Sequence, residues 1–557
     1  MTAPSGYVPQ RFGHSIDLDL SKNEGRPGST ELLAAVEDPT ELLRRYPDTS
    51  RLQARLAKLH GVSEESVLVT AGGDDALMRC FMARTGRGRQ VLTTRPTFEM
   101  IPRYAEQSGA AIVEIPWRSG PFPTDAVLDA ITDPTDVVFV VSPNNPTGAV
   151  ANESDLRKVA SEIALVVLDA AYAHFADDDL TDAALEMDNV VVIRTLSKAY
   201  GLAGLRVGYL LGPADLIAEL SLYGSPYPVS SLSAALALAR LDRPPSDLDR
   251  FVGEVKRERT EVTRILRDLE CEPLPSQANF VLAECADAEW LVSGSAALGV
   301  GLRRFPERVG LENAVRITLP GDQRDFERLV HTLGTVLAPE ALIFDLDGVL
   351  ADVSRSQTIA IIETARSYDI EVTREDVERV KAAGSANDDW ALTKKLCSLA
   401  GVESPLSEVT ERFEAVYQGS DDSPGLKQHE RPLVDPVTWR RWAGARPLAV
   451  VTGRPRKDAE EFLARFDLLE PVSVVVARED GPLKPDPAPV RRALEHLRVS
   501  RAWMLGDTPD DVAAARAAGA VPLGVVAPGD NVIRTRATLV GAARILERTV
   551  DLEGLLP

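Results

Sequence analysis

Short apolar runs rich in β-branched residues alternate along the whole chain with stretches of helical length. The clearest are VLTT (91–94), VVFVV (137–141), ALVVLD (164–169), NVVVIR (189–194), ALIFDLD (341–347), PLAVVTG (447–453) and AWMLGD (502–507). These runs are apolar on both faces, as strands are when helices cover both sides of a parallel sheet. The pattern predicts an α/β protein. No tandem repeat or low-complexity tract interrupts it, and no apolar run approaches the ~18 residues of a membrane span.

At about 150 residues per domain, the 557 residues predict three or four structural units. A chain with 44% hydrophobic and 26% charged residues is ordinary for a globular protein. Its net charge of −22 repels phosphate backbones and anionic lipid, so neither nucleic acid nor membrane is an expected partner. Anionic substrates would need local Arg and Lys residues to overcome that field. The four cysteines (Cys80, Cys271, Cys285, Cys397) show no CxxC spacing and read as reduced, buried thiols. The first residues carry no charged-then-apolar signal pattern, and the expected location is the cytoplasm.

The motifs change character at Ala338-Pro339-Glu340, which predicts an enzyme-sized unit at 1–338 and another at 341–557, joined by a short tether. In the first, TAGGDDAL (70–77) places two glycines and an acid at a helix start, where free N–H groups hold phosphate. SPNNPTG (142–148) follows a buried strand, and VVLDAAYAHF (166–175) ends a strand on Asp169 with Tyr172 three residues on. RTLSKAYGLAGLRVGY (194–209) carries Lys198 and Arg206, and AVRITLP (314–320) carries Arg316.

In this order and spacing, with LSKNEGRPG (20–28), RYPD (45–48) and PTFEM (96–100), residues 1–338 resemble the fold-type I pyridoxal-phosphate aminotransferases, and among them the histidinol-phosphate aminotransferase group. The resemblance implies that Lys198 holds the aldehyde of pyridoxal 5′-phosphate and that Asp169 stabilises its protonated pyridine nitrogen. Asn145 and Tyr172 match the pair bonded to the cofactor's 3-hydroxyl, and Phe98 the ring stacked on the pyridine. Gly73 and Asp74 through backbone N–H, with Thr195, Ser197 and Arg206, match the phosphate cradle. Tyr46 matches a residue that reaches the phosphate from a neighbouring subunit, which implies a homodimer. His174, beside this motif, reads as structural. Ala170 departs from the Glu usual after the strand-end Asp, a supporting position. Arg316 matches the grip on a substrate carboxylate. Arg303, thirteen residues earlier, matches the second arginine of the histidinol-phosphate group, with Arg304 competing for that role. The substrate expected is a phosphorylated amino or keto compound, with a separate amino donor.

In the second unit, ALIFDLDGVL (341–350), VVTGRP (450–455), GPLKPDP (481–487) and MLGDTPDD (504–511) each fall where a strand or loop meets a helix. They resemble the four motifs of the haloacid dehalogenase-like phosphatases. The resemblance implies Asp345 as nucleophile on phosphorus, Asp347 as the acid and then base, and Thr452 and Lys484 as ligands of the phosphoryl oxygens. Asp345, Asp507 and Asp511, with Asp347 counted among the ligands, imply a Mg²⁺ site. The acid at 347 marks a phosphatase rather than a dehalogenating member. Residues 355–435 are helix-patterned and look like an inserted cap over the substrate, with Trp390, Lys394, Lys395 and Lys427 as candidate contacts.

A transaminase and a phosphatase in one chain fit consecutive steps, amination of a keto phosphate to histidinol phosphate or an analogue and then its hydrolysis. Two other readings exist. A threonine-phosphate decarboxylase-like lyase would keep most of the same residues and release carbon dioxide. A non-catalytic regulator on the same fold would need a basic segment ahead of it, which residues 1–20 do not supply.

Overall fold

The computed structural model describes residues 10–26, 30–36, 39–382, 384, 388–420 and 423–557. They pack as two compact units. One holds Gln10, the described part of 19–288, and 302–328; the other holds 11–18, 289–301 and 329–557.

The first unit is built on a seven-stranded sheet. Its order is Val67–Thr70, Gly208–Leu211, Val190–Thr195, Leu165–Asp169, Val137–Val141, Gln90–Arg95, Ala111–Pro116. The predicted runs are parallel neighbours, but Gly208–Leu211 is antiparallel to both strands beside it. Side-chain alternation sorts the two-sided apolar runs into two cores. Val138, Val140, Val166, Leu168 and Val192 face one, and Phe139, Val141, Val167, Val191 and Ile193 face the other. A second, antiparallel sheet pairs Arg303–Arg304, Ala314–Thr318, Phe280–Glu284 and Glu272–Pro273 in that order. Its short strands carry no long apolar run, and the hydrophobic pattern alone does not announce it.

The second unit contains a six-stranded parallel sheet, Val472–Val476, Leu448–Val451, Ala341–Phe344, Ala502–Gly506, Val521–Val525, Arg544–Leu546. Phe344 lies against Trp439 and Trp442 on one face, while Ile343, Ala449 and Met504 enter the core on the other. Helices Gln357–Arg366, Arg374–Ala382, Asp389–Leu399 and Leu406–Gln418 form the cap. They lie between two short strands, Ala351–Asp352 and Arg431–Pro432, that pair antiparallel.

The packing units do not divide at the change of motif. Helix Ala288–Ala297 and the end of helix Gln323–Leu337 pack with the second unit's sheet. The Trp290 and Trp503 rings meet edge to face at 4.8 Å. The Trp503 indole N–H donates to the Thr335 carbonyl at 2.8 Å.

Candidate active sites

In the first unit the motif residues gather at the C-terminal ends of the parallel strands, the edge where α/β sheets place ligands. Asp169 is the last residue of its strand, Asn145 and Lys198 stand in the turns after theirs, and Thr195 ends the strand leading to Lys198. Lys198 Nζ donates to the Lys22 carbonyl at 3.3 Å and lies 5.7 Å from the centre of the Tyr172 ring. The Asp169 carboxylate accepts from the Ala171 N–H at 3.1 Å. Burial lifts its pKa to about 6, against the Ala171 bond and Lys198, which lower it. A protonated pyridine nitrogen would reverse that balance.

The residues expected to cradle phosphate gather around helix Gly72–Arg84, whose first-turn N–H groups lack partners within the helix. Arg206 Nη2 donates to Asp74 at 3.0 Å, and Thr195 Oγ1 to Ser197 Oγ at 2.9 Å. A Cβ on Gly208 would sit 2.5 Å from the Gly72 carbonyl carbon, so only glycine lets this strand run so close to the helix start. Backbone donors, two hydroxyls and a guanidinium fit a phosphate dianion. Phe98 is half-buried beside this edge.

Asn23 was not singled out in the sequence, although it lies inside LSKNEGRPG, whose Pro27 and Gly28 fall outside the described residues. Its amide donates to Tyr172 Oη at 3.0 Å, and its backbone adopts a left-handed φ of 56°. Arg316 donates to Asn145 Oδ1 at 2.6 Å and to the Ser21 carbonyl at 2.8 Å. Arg303 is directly opposite Arg316 across the antiparallel pair, while Arg304 is opposite Val315 and so on the other face. Glu99, next to Phe98, faces Arg303 at 3.6 Å. His174 is half-buried against Arg194 and the edge of Tyr200, which fits its structural reading; desolvation and Arg194 drop its pKa to about 3. Tyr46 is not brought into this group. It is 81% exposed and stacks on Tyr227 at 4.7 Å.

In the second unit the strand stops at Phe344, and the following turn presents both carboxylates to one cleft. Gly348 has a left-handed φ of 75°, and a Cβ there would lie 2.4 Å from Asp507 Oδ2. Buried Lys484 bridges Asp345 at 2.8 Å and Asp511 at 2.5 Å. Thr508 and Asp511 cap the following helix reciprocally, which fixes the Asp511 rotamer. Carboxylate oxygens of Asp345, Asp507 and Asp511 come within 4.8 Å of one another. Burial, opposed by Lys484, raises the Asp345 pKa, and burial with Asp511 raises that of Asp507. Three such oxygens with one ammonium leave a negative surplus suited to a hard divalent cation.

Asp347 keeps its side chain paired outside the cluster of three carboxylates. Its carboxylate accepts from Arg454 Nε at 2.7 Å and Gln357 Nε2 at 3.1 Å, and Arg454 holds its pKa low despite burial. Arg454 is itself buried and also donates to Glu430 and Tyr417, each at 3.0 Å. It lies inside the VVTGRP motif, but nothing in one sequence shows that it turns back to Asp347. Thr452 is buried, its Oγ1 accepting from the Arg454 N–H at 3.1 Å. Of the four candidate cap contacts only Trp390 lines the cleft, together with Lys381, which the sequence did not distinguish from other helix lysines. Lys427 is spent on Glu461 at 3.0 Å, and Lys394 and Lys395 are absent from the lining.

Residues 16–333 match the family model of aminotransferase class I and II. The chain belongs to the class I and II aminotransferases. Residues 339–519 of this aminotransferase match the haloacid dehalogenase-like hydrolases, so two enzyme families share the chain. It is 34% identical over 346 residues to a histidinol-phosphate aminotransferase of Erythrobacter litoralis, covering 59% of this chain and 93% of that protein. It is 36% identical over 313 residues to an aromatic amino acid aminotransferase of Mycolicibacterium vanbaalenii, covering 54% and 88%. Among solved structures it is similar to the histidinol-phosphate aminotransferase of Sinorhizobium meliloti in complex with pyridoxal-5′-phosphate. There the TM-score is 0.54 and the identity 25%, over 58% of this chain and 92% of that one. Pyridoxal 5′-phosphate and Mg²⁺ are the cofactors these two families imply, and both donor sets described above fit them. No helix among the described residues is long and apolar enough to cross a membrane.

Proposed function

We propose that the chain is a bifunctional enzyme that transaminates a phosphorylated amino or keto compound of the histidinol-phosphate type and hydrolyses a phosphate monoester with Mg²⁺, the two reactions being consecutive. In this reading residues 1–338 supply the transferase and 341–557 the phosphatase, and the working form is a homodimer in which Tyr46 completes the neighbouring site.

The observation that carries the substrate class is the register of Arg303 against Arg316. Like charges directly opposite on a sheet repel, and the Glu99 carboxylate only partly offsets them. A dianionic phosphate arriving with the substrate would relieve the repulsion. When bound, pyridoxal phosphate supplies the carbonyl that accepts the amino group and the ring that delocalises charge. Lys198 binds it and moves the proton, Asp169 keeps its ring nitrogen protonated, and Asn145 and Tyr172 hold its hydroxyl. In the second site Asp345 attacks phosphorus, and Lys484 and Thr452 stabilise the transferring oxygens. Asp347, which must take up a proton against its Arg454 pairing, protonates the leaving alcohol and then, as carboxylate, deprotonates the water that frees phosphate from Asp345.

The deciding experiment is phosphate release from histidinol phosphate with Mg²⁺, set against a panel of other phosphomonoesters. Fast and selective release supports consecutive steps; turnover only elsewhere in the panel moves the pair to another pathway. Arg303→Ala should lower kcat/KM for the phosphorylated keto substrate by about 10-fold or more, the loss of roughly 1.5–3 kcal/mol for a charged hydrogen bond. Unphosphorylated acceptors should change little, and equal losses for both would sink the assignment. The relative acting on aromatic amino acids favours a second reading, in which the acceptor is an aromatic keto acid gripped by Arg316 alone. Amination of such an acid faster than of any keto phosphate would establish it.

A further inference from the structure

The floor of the phosphatase cleft is explained by phosphoryl transfer, but its outer wall is not. The cleft is open to solvent and is lined by both the sheet's edge and the cap. Seven carboxylates and three cations line it. Two of the cations are already spent on acids of the lining. Arg454 holds Asp347, while Arg478 holds Asp388 and lies 4.4 Å above the Trp390 ring.

Glu414, on the last cap helix, and Asp458, on the helix that follows Thr452, carry no such partner. The Gln418 side-chain amide donates to both, to Glu414 Oε2 at 3.0 Å and to the two Asp458 oxygens at 3.1 Å. Trp390 Nε1 adds one bond to Glu414 Oε1 at 3.0 Å. Among the described residues no ammonium or guanidinium pairs with either acid. A single neutral amide thus gathers two carboxylates at the wall of a cleft that already holds more acid than base. Beside them Trp390, Phe413 and Tyr417 give an apolar surface for a carbon skeleton.

We infer that Glu414 and Asp458 form the subsite for a protonated amine on the leaving group, so that the phosphatase selects phosphomonoesters of amino alcohols. The inference rests on the phosphatase reading above and names its substrate class. Phosphate binds at Asp345, Thr452 and Lys484, the chain lies along the aromatic wall, and the ammonium supplies the donors the two acids lack. A carboxylate on the same substrate would meet the surplus negative charge, which disfavours amino acid phosphates. The product of an amination step is a molecule of the selected kind, and its unaminated keto precursor is not.

The test compares kcat/KM of the full-length enzyme with Mg²⁺ on three probes: 2-aminoethyl phosphate, 2-hydroxyethyl phosphate and O-phosphoserine. The amine should be preferred at least tenfold over the hydroxyl isostere and over phosphoserine. The amine-to-hydroxyl ratio should fall at least fivefold in Asp458→Asn and in Glu414→Gln, whatever each variant does to the absolute rates. A wild-type ratio near one, a preference for phosphoserine, or a ratio unmoved in both variants overturns the inference. Because a variant could misfold, titration calorimetry of the Asp345→Asn protein with the two neutral-to-cationic isosteres is the second measurement. Tighter binding of the amine is expected, and equal affinities overturn the subsite. If wild-type enzyme releases phosphate from 2-hydroxyethyl phosphate without favouring the amine, only the subsite fails. If it releases none from any phosphomonoester, the phosphatase reading fails first.

Discussion

Lys198 stands in a turn past a buried strand, with no carboxylate within ion-pair distance among the described residues and the Tyr172 ring beside it. Its amine is thereby available for a carbonyl, as that of a surface lysine paired to an acid is not. Lys198→Ala should remove the visible absorption of the bound cofactor and abolish transamination, with phosphate release retained. Asp345→Asn should do the reverse, lowering phosphate release by about 1,000-fold or more, as loss of a nucleophile does. A retained absorption band in the first variant, or surviving phosphate release in the second, would refute the roles. Asp169 gives a pH signature. Its folded pKa, about 6, is above the ordinary 3.8, so without cofactor its contribution is present below pH 4 and lost as pH rises through 6. Thermal unfolding of the cofactor-free protein should show stability falling across that window, and Asp169→Asn should flatten the slope. With cofactor bound, the paired carboxylate should remove or invert it.

At the scale of elements, the two-sided apolar strands were legible because burial on both faces leaves no polar alternation, and the runs read at 137–141, 164–169 and 189–194 form strands at 137–141, 165–169 and 190–195. The antiparallel strand Gly208–Leu211 was not, since strand direction depends on what the connection crosses rather than on composition. Helix Ala288–Ala297 was not assigned to the second unit either, because the docking of a helix is set by a few large side chains far apart in sequence. Trp503 is one of them. It is fully buried, pairs with Trp290 and donates to Thr335, so Trp503→Ala should destabilise the second unit by about 3–5 kcal/mol. Denaturant unfolding followed by tryptophan fluorescence measures this, and a cost below about 1 kcal/mol would show that the contact is dispensable.

For the whole molecule, the proposed sequence of reactions predicts what accumulates. With a keto phosphate, an amino donor and Mg²⁺, the wild-type protein should yield free phosphate and the dephosphorylated amine. Asp345→Asn should stop at the phosphorylated amine, identified by mass spectrometry. A tether raises the local concentration of that intermediate without any new contact. Phosphate released directly from the keto compound, ahead of amination, would reverse the order. Tyr46, exposed in the single chain, belongs to this scale as well. Equilibrium sedimentation should give twice the chain mass.

Which chemistry-bearing residues exist, and in what order, is local information. Lys198, Asp169 and Tyr172, like Asp345, Thr452 and Lys484, sit at strand ends or in the turns and loops that follow them, and Asp511 in the first turn of helix Pro509–Ala518, where local patterning and motif spacing are enough to place them. Which of them meet is set by the packing of distant elements. Arg303 faces Arg316 through strand register, and Asn23 reaches Tyr172 across 149 positions. Arg454 pairs with Asp347 across 107 positions, and Gln418 draws Glu414 and Asp458 together. Periodicity records which way a side chain points from its own element. Long-range pairing depends on how whole elements dock, and no local pattern carries that information.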